Sequence, residues 1–187
     1  MNDFSSTVLL LFAVILIKSL IMRTVSHQPF TFFNFYCQRL SHKVNNAKNP
    51  VKQQAIAGAT AVVITLLPLM IILSLFELFI EVTWLWQAFL LYLAIGPFNV
   101  SASSKSVAQA LVANQNYLAK QTLQPLLLRD TEQLSKIGLS KSCIEMQLLK
   151  TMQQNFVVIF HFLVFGPLIA LAYRLLLEMH YSWNVKQ

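Results

Sequence analysis

Long apolar blocks alternate with polar, basic stretches along this chain. A helix that crosses a bilayer needs about 20 apolar residues, with a range of roughly 17–25. Four blocks fit: Phe4–Met22, interrupted by Lys18 and Ser19; Ala55–Phe76, with Pro68 inside; Trp84–Val100, with Gly96-Pro97 near its end; and Phe156–Leu177, with His161 and Gly166-Pro167. The pattern predicts an all-α, polytopic membrane protein with four transmembrane helices and a helical cytoplasmic loop unit. Transmembrane helix 1 occupies 1–22, and a basic cytoplasmic loop with an amphipathic aromatic segment occupies 23–54. Helices 2 and 3 occupy 55–100, a helical cytoplasmic loop 101–155, helix 4 156–177 and a short external tail 178–187.

Composition supports the membrane class. The chain is 56% hydrophobic and 11% charged, whereas a soluble domain carries about 25% charged residues. Its net charge is +7. In a soluble protein that would suggest nucleic acid; here basic residues collecting in cytoplasmic loops explain it, and no nucleic-acid partner is expected. Residues 23–54 hold Arg23, Arg39, Lys43, Lys48 and Lys52 with no acidic residue. Residues 101–155 hold Lys105, Lys120, Arg129, Lys136, Lys141 and Lys150, and the short connection after the second block carries Glu77 and Glu81. Four spans then place both basic loops in the cytoplasm and both termini outside. Trp84 and Trp86 would mark the outer interface of the third span, and Trp183 the outer end after the fourth. The first block reads as an uncleaved anchor, because its start carries Asp3 and no lysine. Lys18 can snorkel toward the surface that Arg23 occupies. Cys37 and Cys143 fall in the cytoplasmic loops, so both thiols are expected reduced, with no disulfide or zinc.

The first loop opens with HQPFTFFNFYCQRL, in which Phe30, Phe32, Phe33, Phe35 and Tyr36 precede Arg39 and Lys43 at helical spacing. This reads as an interfacial amphipathic helix, with a substrate platform as the alternative. In the second loop, Val107, Leu111, Val112 and Leu118 with Ala108 predict an amphipathic helix over 102–122. Gln124-Pro125 bends the chain. Asp130 or Thr131 can cap a short helix that ends at Gly138, and Ser142 with Glu145 forms a capping-box pattern for a further helix. Arg129-Asp130-Thr131 reads either as a cap with a surface ion pair or as a ligand-binding run. Glu145 reads either as a capping residue or as a ligand. His161 inside the fourth block reads as a neutral imidazole bonded to a neighbouring helix, with a functional role as the alternative.

Several runs together resemble the membrane-bound adenosylcobinamide-phosphate synthase family of cobalamin biosynthesis, CobD/CbiB. They are VAQAL at 107–111, LLRDTEQL at 127–134, the pair Ile144-Glu145 and GPLIALAYR at 166–174. The resemblance implies amide formation between adenosylcobyric acid and aminopropanol or its phosphate. It also implies ATP and magnesium, with a corrinoid substrate and the lipid bilayer as partners. By resemblance, substrate binding falls to Arg129, Asp130, Thr131 and Glu145. Arg129 would meet phosphate or carboxylate through its bidentate fork, and Asp130 and Glu145 would suit Mg²⁺. No GxxxxGK[ST] loop is present. The chain departs from the family's pattern at Leu128, Leu148, Leu149, Lys150, Gln153, Leu177 and His180, where the family carries glycine, alanine or polar residues. AmpE-like inner-membrane proteins share the layout without the polar set, so a non-catalytic sensor or scaffold is the alternative. With few spans, two copies could assemble around a site as a homo-oligomer.

Overall fold

In the computed structural model, residues 2–24, 30–44, 50–97, 102–127 and 131–184 are described, and their regular structure is entirely helical. In chain order the helices are α1 Asn2–Thr24, α2 Thr31–Val44, α3 Val51–Glu77, α4 Thr83–Ala94, α5 Ala102–Val112, α6 Asn116–Leu123, α7 Lys136–Thr151, α8 Val157–Phe165 and α9 Pro167–Asn184. A 3-10 turn over Gln124–Leu126 follows α6, and a π turn over Met152–Phe156 joins α7 to α8.

Two stretches, Lys52–Glu77 and Lys136–Phe165, are long and apolar enough to cross a membrane, and Ser5–Ile21 is a shorter apolar helix. The outward faces agree with lipid as the surroundings. Leu9, Leu16, Ile64, Leu67, Ile71 and Phe160 are each more than half exposed, and an all-round apolar helix is stable only where water is absent.

Two of the four apolar blocks do not form single long helices. The third block forms a helix only over Thr83–Ala94, about 18 Å at 1.5 Å per residue, because the chain turns extended at Ile95 ahead of Gly96-Pro97. The fourth block is two helices folded back on each other. Gly166 breaks them with φ 88 and ψ 179, a conformation that is essentially glycine-only. The His161 and Tyr173 rings then stack at 4.7 Å with planes 11° apart, and Tyr181 bonds Gln153. In one straight helix those pairs would stand about 18 and about 42 Å apart. His161 bonds the Val157 carbonyl of its own helix at 2.7 Å instead of a neighbouring helix.

This fold-back also moves the tail. Residues 178–184 continue α9 and return beside α2. Ser182 donates to Asn34 at 3.3 Å, and the Trp183 indole donates to the Cys37 carbonyl at 3.1 Å. Trp183 therefore packs against α2, the helix of the first basic loop. Leu90, Leu91, Ala94 and Ile95 of the α4 segment, Val158 and Phe162 of α8, and Ala170, Leu171 and Leu175 of α9 form the main core with α1 and α2.

A second, smaller core holds the long loop together as a helical unit. It joins Val107, Ala110 and Leu111 of α5, Ala119 and Leu123 of α6, and Leu139, Cys143 and Met146 of α7. The single helix expected over 102–122 is divided, because Asn114 adopts φ 58 and turns the chain between α5 and α6. The short helix expected up to Gly138 is a turn, in which the Leu134 amide donates to the Thr131 carbonyl at 3.1 Å. Ser135 caps α7 by accepting from the Gly138 amide at 3.2 Å. Gly138 thus opens a helix where closing one was expected, and Ser142 and Glu145 stand in the middle of α7 instead of at its start.

Candidate functional site

The charged residues inside the apolar blocks converge on one place. α4 stops there with its last carbonyls unpaired within the helix, as every helix end does. Lys18 of α1 caps them, donating to the backbone oxygens of Tyr92 and Ile95, and its ammonium lies 4.7 Å from the Tyr92 ring centroid. The extended strand beyond α4 then lies on the π turn. The Gly96 amide donates to the Gln154 carbonyl at 2.9 Å, and the Asn155 amide donates to the Pro97 carbonyl at 3.3 Å. A Cβ on Gly96 would come 2.6 Å from the Gln154 Cβ and 3.2 Å from Arg174 Nη1, so this approach requires glycine.

α9 supplies the opposite wall. Arg174, Glu178 and Tyr181 recur at helical spacing and share one face. Arg174 Nη2 bonds Glu178 Oε1 at 2.6 Å within the protein, both residues being buried. The Arg174 guanidinium carbon lies 5.5 Å from the Phe30 ring centroid, and Lys150 Nζ 5.9 Å from that of Tyr181. The Tyr181 hydroxyl donates to Gln153 at 2.6 Å. Lys150 and Arg174 thus face a single carboxylate, Glu178, whose charge reaches both, and Lys18 lies within reach of the Arg174 charge. Three buried nitrogen or oxygen atoms of this centre lack a partner among the described residues: Arg174 Nε, Arg174 Nη1 and Asn155 Oδ1. Unpaired buried polar atoms and an insert in the α-helical ladder both mark functional places.

Beside this centre, Cys37 of α2 is fully buried. Burial, and secondly the negative charge of Glu178, raise its thiol from 9.0 to about 11. Cys37 and Cys143 are both free.

The residues singled out from the sequence do not gather here. Arg129 and Asp130 lie outside the described residues. Thr131 is buried in the helical unit, where its amide and hydroxyl both bond the Gln124 side-chain oxygen. Glu145 is exposed on α7 with Lys141 at 3.9 Å. Among the described residues no group of three or more His, Cys, Asp or Glu side chains could hold a metal ion. Lys18 and Arg174 had a sequence signal, because each is a charge inside an apolar block, where charge is expensive and marks function; Glu178 directly follows the fourth block, and Lys150 belongs to the polar loop before it.

Comparison with known proteins identifies the surroundings of this centre. The family model described as CobD/Cbib protein matches residues 10–179, a range that runs from α1 into α9. The chain is 27% identical over 181 residues to the cobalamin biosynthesis protein CobD of Stutzerimonas stutzeri strain A1501, covering 97% of this chain and 59% of that protein. It is 28% identical over 155 residues to the cobalamin biosynthesis protein CobD of Chromobacterium violaceum, covering 80% of this chain and 48% of the relative. The chain therefore spans about half the length of these relatives. No solved structure matches it. With the match running through every helix that builds the centre, the chain belongs to the CobD/Cbib family.

Proposed function

We propose that this protein acts in cobalamin biosynthesis at a membrane, in the step that joins aminopropanol, or its phosphate, to a carboxylate of adenosylcobyric acid. The observation that carries this reading is the coincidence of the family match with the buried charged centre. Lys150 and Gln153, at positions where the family pattern places polar residues, and Arg174, at its basic AYK position, meet around Glu178. Amide formation needs the carboxylate activated and held against an amine, and buried cations beside hydrogen-bonding groups suit the first requirement. When bound, ATP with magnesium would supply the activation. The described residues do not form a magnesium cage: Glu178 is engaged by Arg174 and Glu145 by Lys141, so no step is assigned through the metal.

In this reading the two basic loops face the cytoplasm of a bacterial inner membrane, and the fold-back brings the end of α9 to that same side. The corrinoid approaches from the cytoplasm, and a homo-oligomer could complete the site. A second reading, a non-catalytic sensor or scaffold, is favoured by Leu148 and Leu149. They occupy an alanine and a polar position of the family pattern, respectively, and are both exposed on α7. Complementation of a strain lacking cobinamide-phosphate synthase separates the two. Restored growth that is lost in Arg174→Gln supports the enzyme; no growth despite confirmed membrane insertion supports the scaffold.

A further inference from the structure

We propose that Lys18, Lys150 and Arg174 form a binding site for a compact dianionic oxyanion, which completes the charge left unbalanced by Glu178. The assignment deepens the proposed function, and rests on it only for which molecule carries the oxyanion.

Charge and geometry both support it. If all four groups are ionised, the three cations exceed the one carboxylate by two charges in a place where Lys18 and Arg174 are each about 95% buried or more, at 4% and 5% exposure. Buried charge without a counter-charge is among the costliest features a fold can carry. Arg174 uses Nη2 on Glu178, and its Nε and Nη1 are without partners among the described residues. The Phe30 ring covers the guanidinium but accepts nothing at its N–H edge. Each of these two free N–H groups can donate one charge-assisted hydrogen bond to an oxyanion oxygen. Lys150 and Tyr181 are only half-buried, so the centre opens on the side of α7. Two excess charges match a phosphate monoester better than a single carboxylate.

The test uses the full chain in neutral detergent, followed by thermal unfolding with inorganic phosphate as the probe and acetate or chloride at matched ionic strength as controls. Phosphate should raise the midpoint well beyond both controls. Arg174→Gln and Lys150→Gln should each weaken apparent phosphate affinity about tenfold, the loss of one charge-assisted hydrogen bond. Lys141→Gln, on the outside of α7, should leave affinity unchanged. Lys150 is half-buried, so its variant serves if the Arg174 variant does not fold. A second arm compares nanodiscs of neutral lipid with nanodiscs containing phosphatidic acid. If the phosphate effect disappears only in the acidic lipid, a headgroup is the occupant; if it persists in both, the occupant is a soluble phosphate. Stabilisation no greater than in the controls in detergent and in both lipids, or unchanged by both variants, overturns the site. Failed complementation with phosphate binding intact would remove the proposed reaction and leave the site standing.

Discussion

Tyr181 donates its hydroxyl hydrogen to Oε1 of Gln153 over 2.6 Å, tying the last turns of α9 to the π turn from which the α8–α9 hairpin departs. Tyr181→Phe leaves that oxygen without its donor in a half-buried place, which should cost about 1–3 kcal/mol. Thermal unfolding in mild detergent measures it. An unchanged midpoint would mean that apolar packing alone holds the hairpin shut.

Gly96→Ala should be more damaging than its single methyl suggests. The added carbon would stand 2.6 Å from the Gln154 Cβ, an atom that cannot swing aside without moving the π turn. Overpacking of this kind costs about 1–3 kcal/mol. Limited proteolysis should show faster cleavage after Pro97 in the variant. Equal resistance would show that the strand can lift away from the turn.

Gly166→Ala tests the hairpin itself. Nothing lies within 4 Å of a Cβ there, yet φ is 88, so the penalty is purely conformational, about 1–3 kcal/mol. The expected result is a destabilised chain that an added cavity elsewhere does not mimic. A neutral result would mean that the α8–α9 connection does not hold this backbone conformation.

The sequence revealed the helical class, the long second apolar helix and the existence of a folded loop unit, because their signals are local. Pro68 lies inside α3, which runs from Val51 to Glu77. The fourth block misled because hydropathy is blind to direction: an apolar run reads the same straight or folded at Gly166. Within the loop, Ser142 and Glu145 had capping spacing, but Ser135 was the residue with the right backbone to cap α7. The candidate centre was legible only as scattered charges. Lys18 looked like a snorkelling lysine because its acceptors, the carbonyls of Tyr92 and Ile95, are more than seventy positions away.

The hairpin sets an expected topology. A reporter fused after Asn184 should read on the same side of the membrane as one fused after Val44, and opposite to one placed between Glu77 and Glu81. Agreement of the Asn184 fusion with the Glu77–Glu81 insertion would contradict the contacts of Ser182 and Trp183 with α2.

Cys37 gives a pH dependence. Its thiol holds a proton up to about 11 when folded, against 9.0 for the ordinary group. The unfolded chain therefore loses this proton first, and the thiol's contribution to stability is full below pH 9 and lost as pH rises through 11. In a Cys143→Ser background, maleimide at pH 8 should label Cys37 slowly until detergent denaturation exposes it. Between pH 8 and pH 10.5 the unfolding midpoint should fall further than in Cys37→Ala. Parallel curves for the two proteins would show that another group governs alkaline stability.

The short α4 has a consequence for biogenesis. About 18 Å of helix cannot partition into a bilayer as an independent unit, because its lower carbonyls would face hydrocarbon without donors. The missing donor is the ammonium of Lys18, made earlier in synthesis and held on α1. Ordered insertion is the expected outcome, with the first helix in place before the fourth packs against it. Lys18→Met should accordingly lower the yield of inserted protein during synthesis more than it lowers the stability of molecules already assembled.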